Sequence, residues 1–341
     1  MKKTRVAING FGRIGRAFFK VALKRPEIEI IAINDLGDIK NMAYLLKYDT
    51  VYPHHEYKVE TSDKKLIVNG KKFKFFCESD LIKLPWRELD IDVVVEATGV
   101  FSRYDKVQAH QTAGAKKVVI TAPSKDSENE GTLGKTILMG INEDDLRTYT
   151  ISSNGSCTTN AGSPVIAILD KALGIEKAIL NTVHAYTASQ SIVDSPNKKD
   201  FREGRAGAQN IIPSSTGAGI AVAKALPSME GKFDGVAMRV PIVSGSIADI
   251  TFIAKKDTNV EEINKILTKA SKEERWKGIF RVTNDLIVSS DILGDPYASI
   301  ADLSMTRVVG GNLVKVLAWY DNEMGYVYTL VDHVIKAGKA L

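Results

Sequence analysis

Cys157 stands in the run Gly155-Ser156-Cys157-Thr158-Thr159-Asn160 and is one of only two cysteines in 341 residues. Small, hydroxyl-bearing neighbours leave a thiol reachable, and a thiolate is a strong nucleophile toward a carbonyl carbon. The apolar series Val165, Ile168, Leu169, Ala172 and Leu173, with Gly174 behind it, predicts a helix starting close to this run. The positive end of that helix would lower the thiol pKa. Pro164 either opens the helix in its first turn or kinks it. A cysteine of an intracellular protein is also commonly a small buried apolar residue, so Cys157 needs a partner before it counts as a nucleophile. His184, within Asn181-Thr182-Val183-His184-Ala185-Tyr186-Thr187, is the candidate base, since imidazole titrates in the useful range. Of the other histidines, His54 and His55 fall in a polar turn, and His110 and His333 in helical patterns.

A second constellation is Gly10-Phe11-Gly12-Arg13-Ile14-Gly15, which follows an apolar strand at 5–9 and opens an amphipathic helix carrying Ile14, Phe18, Val21 and Ala22. In this context Gly10 makes a tight turn, Gly12 lets backbone approach a pyrophosphate, and Gly15 packs helix on strand. A strand at 28–33 ends at Asp35, about 20 residues past the last glycine, where a carboxylate binds ribose hydroxyls and repels a 2′-phosphate. NAD is therefore favoured over NADP; the alternative is that Asp35 caps a turn. Strands at 92–97 and 117–121, with a helix near 105–113 between them, predict a doubly wound parallel sheet. Its strand-end loops, Thr98-Gly99 and Thr121-Ala122-Pro123, are candidates to touch the cofactor. The lysine-rich stretch 56–76 reads as a solvated hairpin excursion, and 123–136 as a polar surface loop without chemistry.

Past His184, residues 194–219 show little periodicity and carry Arg202, Arg205 and Pro213-Ser214-Ser215-Thr216-Gly217. A long loop of that kind is often functional, and its hydroxyls, amides and arginines suit phosphate, although a basic solvated loop would read the same way. Arg239 lies on a strand at 236–241, where it either clamps a second phosphate or pairs with an acid. Asn259 and Glu262 predict a capping box for a helix buried through Ile263, Ile266, Leu267 and Ala270. A strand at 313–320 precedes a terminal helix with Val327, Leu330, Val331, Val334 and Ile335 inward, which needs a surface to cover.

Composition narrows the class. The chain is 44% apolar and 26% charged, as a globular protein of about two domains would be. Its 46 basic and 41 acidic residues leave +5, spread along the chain, which favours anionic ligands and does not by itself indicate nucleic acid. Two cysteines make no disulfide framework, and no zinc spacing occurs, so no metal is expected and a reducing, cytoplasmic setting is. No apolar run is long enough for a signal peptide or a membrane span.

Taken together, Ile8-Asn9-Gly10-Phe11-Gly12-Arg13-Ile14-Gly15-Arg16, Ser156-Cys157-Thr158-Thr159-Asn160, Asn210 to Ala218 and Trp319-Tyr320-Asp321-Asn322-Glu323 give the chain, over essentially its whole length, a resemblance to the phosphorylating glyceraldehyde-3-phosphate dehydrogenase family. The resemblance implies an α/β chain: a Rossmann doubly wound domain over 1–156, completed by a helix at 322–341, and an α+β catalytic domain with a largely antiparallel sheet over 157–321. It implies a homotetramer in glycolysis that oxidises glyceraldehyde 3-phosphate with NAD and inorganic phosphate. Cys157 would be the nucleophile and His184 its base. Thr187 and Arg239 would hold the C3 phosphate, and Ser156, Thr158, Thr216 and Gly217 inorganic phosphate. Cofactor contacts carry over to Arg13, Ile14, Asp35, Thr121 and Asn322, beside Gly10, Gly12 and Gly15. The chain departs from the family at Ala161, where many members have a second cysteine, and at Ser79, where a basic residue is common. Ser195-Pro196 keeps only the proline of the NAD-using pattern, and the 123–136 loop is long. An erythrose-4-phosphate dehydrogenase shares the nucleophile, but Thr187 and Ser215-Thr216-Gly217 fit it less well. A non-catalytic nucleotide- or RNA-binding Rossmann protein would have no use for the Cys157 and His184 pair.

Overall fold

The computed structural model describes residues 2–53, 57–128 and 131–341. His54 and His55 therefore lie outside the described residues. The chain divides into two compact units, one of Met1–Gly155 with Val327–Leu341 and one of Ser156–Tyr326.

Among the described residues, the first unit holds nine strands: β1 (Thr4–Asn9), β2 (Ile28–Asn34), β3 (Val59–Ser62), β4 (Lys65–Val68), β5 (Lys71–Phe76), β6 (Val93–Glu96), β7 (Lys117–Ile120), β8 (Lys135–Thr136) and β9 (Ile151–Ser153). They form one sheet in the order β3-β4-β5-β2-β1-β6-β7-β9-β8. All pairings from β5 to β8 are parallel. Central strands of such a sheet are covered on both faces, which is why Val93-Val94-Val95 and Val118-Val119-Ile120 are unbroken apolar runs, each residue at most 1% exposed. The helices α1 (Arg13–Ala22), α2 (Ile39–Lys47) and α3 (Tyr104–Thr112) connect the strands. The C-terminal helix (Met324–Lys339) covers this unit, burying Val327, Leu330, Val331, Val334 and Ile335.

Within the predicted stretch 56–76, β3, β4 and β5 pair antiparallel over 59–76, and this is not a solvated excursion. Strand β5 pairs in parallel with β2, and Leu66, Val68, Phe73 and Phe75 turn inward while the lysines between them face water. The loop 123–136 is likewise tied down: Glu128 accepts from Tyr104 Oη (2.7 Å), Thr136 N (2.9 Å) and Thr136 Oγ1 (2.6 Å).

The second unit contains α4 (Cys157–Leu173), β10 (Ile175–Ala185), β11 (Ile212–Ser215), α5 (Ala218–Ala225), β12 (Phe233–Val240), β13 (Ser246–Ala254), α6 (Val260–Ala270), β14 (Phe280–Thr283), β15 (Ser299–Val309) and β16 (Leu313–Tyr320). The sheet order is β11-β12-β10-β13-β16-β15-β14, antiparallel except for β10/β12 and β14/β15. Strand β13 alternates buried and half-buried residues, the pattern of a sheet with one covered face, and α4 lies across β10, β13, β15 and β16. Pro164 sits inside α4 and does not open it, and Gly174 ends it with φ +71°. Asn259 caps α6 by accepting from Glu262 N, but Glu262 accepts from Thr258 Oγ1, so only half of the expected box forms. The 194–219 segment has structure of its own, since β11 pairs with β12 and Arg202 and Arg205 are bonded to Asp200 and Asp194.

Candidate active site

Two regions carry the predicted residues, one in each unit. In the first, Gly10 has φ +93°, and a Cβ there would meet Thr98 N at 2.5 Å. A Cβ on Gly15 would stand 2.0 Å from Gly10 O, so α1 leaves the strand in a turn that only glycine permits. Gly12 differs: a Cβ would meet nothing within 4 Å. Gly12 is also the N-cap of α1, and no side chain caps the helix there. Asp35 accepts from Phe11 N (2.6 Å) and Gly37 N (2.7 Å), which clamps its carboxylate at the end of β2.

These residues border a cavity of about 450 Å³ whose lining includes Gly10, Gly12, Asp35, Ser79, Thr98 and Phe101. Arg13 and Ile14 are half-buried on α1, and Thr121 follows β7 with its N–H on Glu96 O; none of the three lines the cavity. Arg13 instead donates to Asp49 (2.9 Å). Burial pushes the Asp49 carboxyl up, but the Arg13 hydrogen bond and charge outweigh it and hold it below the usual range. The sequence reading missed the layer beneath the cavity. Glu96, 1% exposed, accepts from Asn9 Nδ2 (2.6 Å), Thr98 N (3.0 Å) and the Thr98 hydroxyl. Its further partner is His110 Nε2 (3.1 Å). The residues were visible, but only pairing of β1 with β6 brings Asn9 opposite Glu96.

In the second unit, Ser156 caps α4 by a reciprocal box in which Ser156 Oγ accepts from Thr159 N (3.0 Å) and Thr159 Oγ1 accepts from Ser156 N (3.1 Å). This makes Cys157 the first residue of the helix. Parallel pairing of β10 with β12 sets His184 beside Arg239. Cys157 Sγ lies 3.4 Å from His184 Nε2, and Arg239 Nη1 lies 2.6 Å from His184 Nδ1. Tyr320 packs edge-on against the imidazole at 5.9 Å, and its hydroxyl bonds Thr158 Oγ1 (2.9 Å) and Thr182 Oγ1 (2.7 Å). Tyr320 belonged to a stretch that carries the resemblance and Thr182 to a buried strand, but neither sequence signal pointed to this contact.

Burial raises the Cys157 thiol above its ordinary value, against the pull of the Arg239 charge and the Thr158 hydrogen bond. The helix N-terminus was expected to lower it; the net shift is upward instead, with burial its largest cause. The residue as a whole is half-buried. Burial, then the Arg239 charge, push His184 down to about 3, so near neutral pH the ring is uncharged.

The remaining predicted ligands lie on loops and helix starts of the same unit. Thr187 Oγ1 is held by Ser189 Oγ (3.0 Å) and Gln190 Oε1 (3.3 Å). Thr216 Oγ1 accepts from Ala218 N (3.2 Å), and Gly217 is the N-cap of α5. Asn322 Oδ1 accepts from Gly245 N (3.1 Å) and Ser246 Oγ (2.9 Å), which fixes its carboxamide within this unit. Among the described residues no cluster of His, Cys, Asp or Glu is arranged to hold a metal ion, and no helix is long and apolar enough to cross a membrane.

Comparison with known proteins agrees with both regions. Residues 4–104 match the glyceraldehyde 3-phosphate dehydrogenase NAD binding domain, and residues 156–322 match the C-terminal domain of the same family. Glyceraldehyde-3-phosphate dehydrogenase of Thermotoga maritima is 49% identical over 331 residues, covering 96% of this chain and 97% of its own. That of Streptomyces coelicolor is 45% identical over 340 residues, 99% of both chains. Glyceraldehyde-3-phosphate dehydrogenase 3 of Saccharomyces cerevisiae is 46% identical over 341 residues, 98% of this chain and 99% of its own. With a glycine-lined cavity in one unit, a cysteine and histidine in contact in the other, and relatives matched from end to end, the chain belongs to the glyceraldehyde 3-phosphate dehydrogenase family of NAD-dependent oxidoreductases.

Proposed function

We propose that this chain oxidises glyceraldehyde 3-phosphate with NAD and inorganic phosphate to 1,3-bisphosphoglycerate, the phosphorylating step of glycolysis, with Cys157 as nucleophile and His184 as its base. The observation that carries the reading is the contact of Cys157 Sγ with His184 Nε2 at 3.4 Å, with Arg239 on the far side of the ring. A thiol proton passing to Nε2 leaves sulfur free to add to the aldehyde carbon. The developing oxyanion is met by N–H groups of the first turn of α4 and by the imidazolium just formed. NAD, when bound, supplies the hydride acceptor. The acyl group then rests on Cys157 as a thioester, which keeps the oxidation energy that an oxygen ester would lose, until phosphate attacks it and thiolate leaves.

Arg239 and Thr187 hold the substrate's C3 phosphate in this reading, and Ser156, Thr158, Thr216 and Gly217 hold the attacking phosphate. The orphaned Nε of Arg239, buried without a partner, supports an anion there. For NAD, the open side of Gly12 and the clamped Asp35 suit a pyrophosphate and a ribose diol, with Gly10, Gly15, Arg13, Ile14, Thr121 and Asn322 as further contacts. Asp35 disfavours NADP. A homotetramer in the cytoplasm completes the proposal, with the free thiols Cys77 and Cys157 suiting a reducing compartment.

The test is NADH absorbance with glyceraldehyde 3-phosphate, NAD and phosphate, repeated with erythrose 4-phosphate, with NADP, and with Cys157→Ser. Loss of about four or more orders of magnitude in kcat is expected for the serine variant. A preference for erythrose 4-phosphate, or an unchanged serine variant, would overturn the assignment.

A further inference from the structure

Three adjacent parallel strands of the first unit end in polar side chains: β1 in Asn9, β2 in Asn34 and β6 in Glu96. Their register sets Asn34 and Glu96 on either side of Asn9, and all three are at most 3% exposed. Glu96 meets donors only, so Asn9 turns its amide nitrogen toward Glu96 Oε2 (2.6 Å) and its oxygen away. That oxygen accepts from Asn34 Nδ2 (2.7 Å), which leaves Asn34 Oδ1 for Glu78 N (2.9 Å), while Asn34 Nδ2 also donates to Glu78 O (2.9 Å). On the other side of β1, Glu96 Oε1 accepts from Thr98 N (3.0 Å) and from the Thr98 hydroxyl, whose oxygen accepts in turn from Val100 N (3.1 Å). Asn34 and Glu78 border the 450 Å³ cavity on the β2 side, and Thr98 and Val100 border it on the β6 side. Glu96 does not line it.

We propose that Glu96 is a positioning residue for the dinucleotide, one buried carboxylate that fixes both walls of the cavity before the cofactor arrives. Apolar burial does little to hold these walls, since Leu36 is 65% and Val100 73% exposed, so their placement falls to hydrogen bonds. Walls already ordered lose less freedom on binding, which shows as affinity. The role needs an acceptor at every lone pair. Glutamine has the same shape, but whichever way its carboxamide turned, the NH2 would face two donors, either those of Thr98 or those of Asn9 and His110. The inference rests on the reading of this cavity as the NAD site. It adds a residue that touches no part of the cofactor and acts through Asn9, Asn34 and Thr98.

Glu96→Gln should raise KM for NAD by about tenfold while kcat at saturating NAD stays within a few-fold. Amide hydrogen exchange, resolved to single residues, gives a readout that general loosening would not. The Thr98 and Glu78 amides should both exchange faster in the variant, although only the first touches residue 96, whereas the Phe11 and Gly37 amides, held by Asp35, should not change. An unchanged KM, a fall in kcat as large as the rise in KM, or acceleration confined to Thr98 would overturn the proposal. In the wild-type chain the Thr98 and Glu78 amides should open together, with the same protection and the same response to denaturant, because one network holds both. Unrelated opening of the two sinks the inference whether or not the variant folds. Protection of the Phe11 and Gly37 amides by added NAD reports separately on the parent reading. Its absence removes the cavity as the NAD site, whereas its presence with an unchanged KM in Glu96→Gln removes only the role of Glu96.

Discussion

The nucleotide-binding unit and the catalytic unit each bury histidines, and the difference between them lies in how well those rings are satisfied. His110 is fully settled: Trp86 Nε1 can only donate, and it gives its proton to Nδ1 (3.0 Å), so Nε2 must carry the proton it donates to Glu96. His333 is settled too, with Asn154 Oδ1 at Nδ1 (3.0 Å) and Ser152 Oγ at Nε2 (2.8 Å). His184 has an arginine and a carbonyl competing for one nitrogen and a thiol at the other. The first two rings are building material with one permitted state. The third has an acceptor and a donor at the same nitrogen, so its contacts do not impose one tautomer.

The sharpest way to break this contrast is to replace one ring from each kind. His184→Gln should lower kcat by roughly 10²–10⁴, the worth of a positioned general base, read from NADH formation. His110→Gln should leave kcat within a few-fold, and equal losses in both would erase the distinction. Its cost should appear in folding instead, about 1–3 kcal/mol in denaturant unfolding, because it orphans Trp86 Nε1 or Glu96 in the interior.

A parallel contrast divides the glycines of the first unit. Gly15→Ala should unfold or grossly disturb this unit, since its Cβ would meet Gly10 O at 2.0 Å, as a lost cooperative transition by circular dichroism would show. Gly12→Ala has room for the methyl and should fold as wild type while raising KM for NAD by about tenfold. A normal KM would remove Gly12 from the pyrophosphate path.

A last contrast concerns pH. Burial, helped by Arg239 at His184 and by Lys117 at His333, lowers both rings from 6.5 to about 3. Below 6.5 the unfolded chain therefore binds protons that the folded chain refuses, and stability falls as pH drops from 6.5 toward about 3. The slope is roughly 1.4 kcal/mol per pH unit for each ring, and the contribution vanishes above that window. His184→Gln should remove one proton from the slope of unfolding free energy against pH. An unaltered slope would mean that burial does not hold the His184 ring uncharged.

Much of the architecture was legible because it is written in local pattern. Valine and isoleucine runs mark strands covered on both faces, three glycines mark the turn onto α1, and Gly174 marks the end of α4. The period of Val327, Leu330, Val331, Val334 and Ile335 marked a helix that must cover something. Cys157 and His184 were legible as chemistry because few residue types can act as nucleophile and base. What the sequence could not contain was anything set by pairing between distant strands. The lysine-rich hairpin looked solvated because its inward residues become core only once β5 lies against β2. The rise of the thiol pKa comes from the protein packed around it, which no reading of a helix terminus anticipates. Arg239 could have clamped a phosphate or paired with an acid, and only the parallel register of β10 and β12 set it against His184. Residue types determined which chemistry was available; the fold decided which proton sits on which nitrogen, because hydrogen bonds and desolvation depend on distances of a few ångströms that only tertiary structure sets.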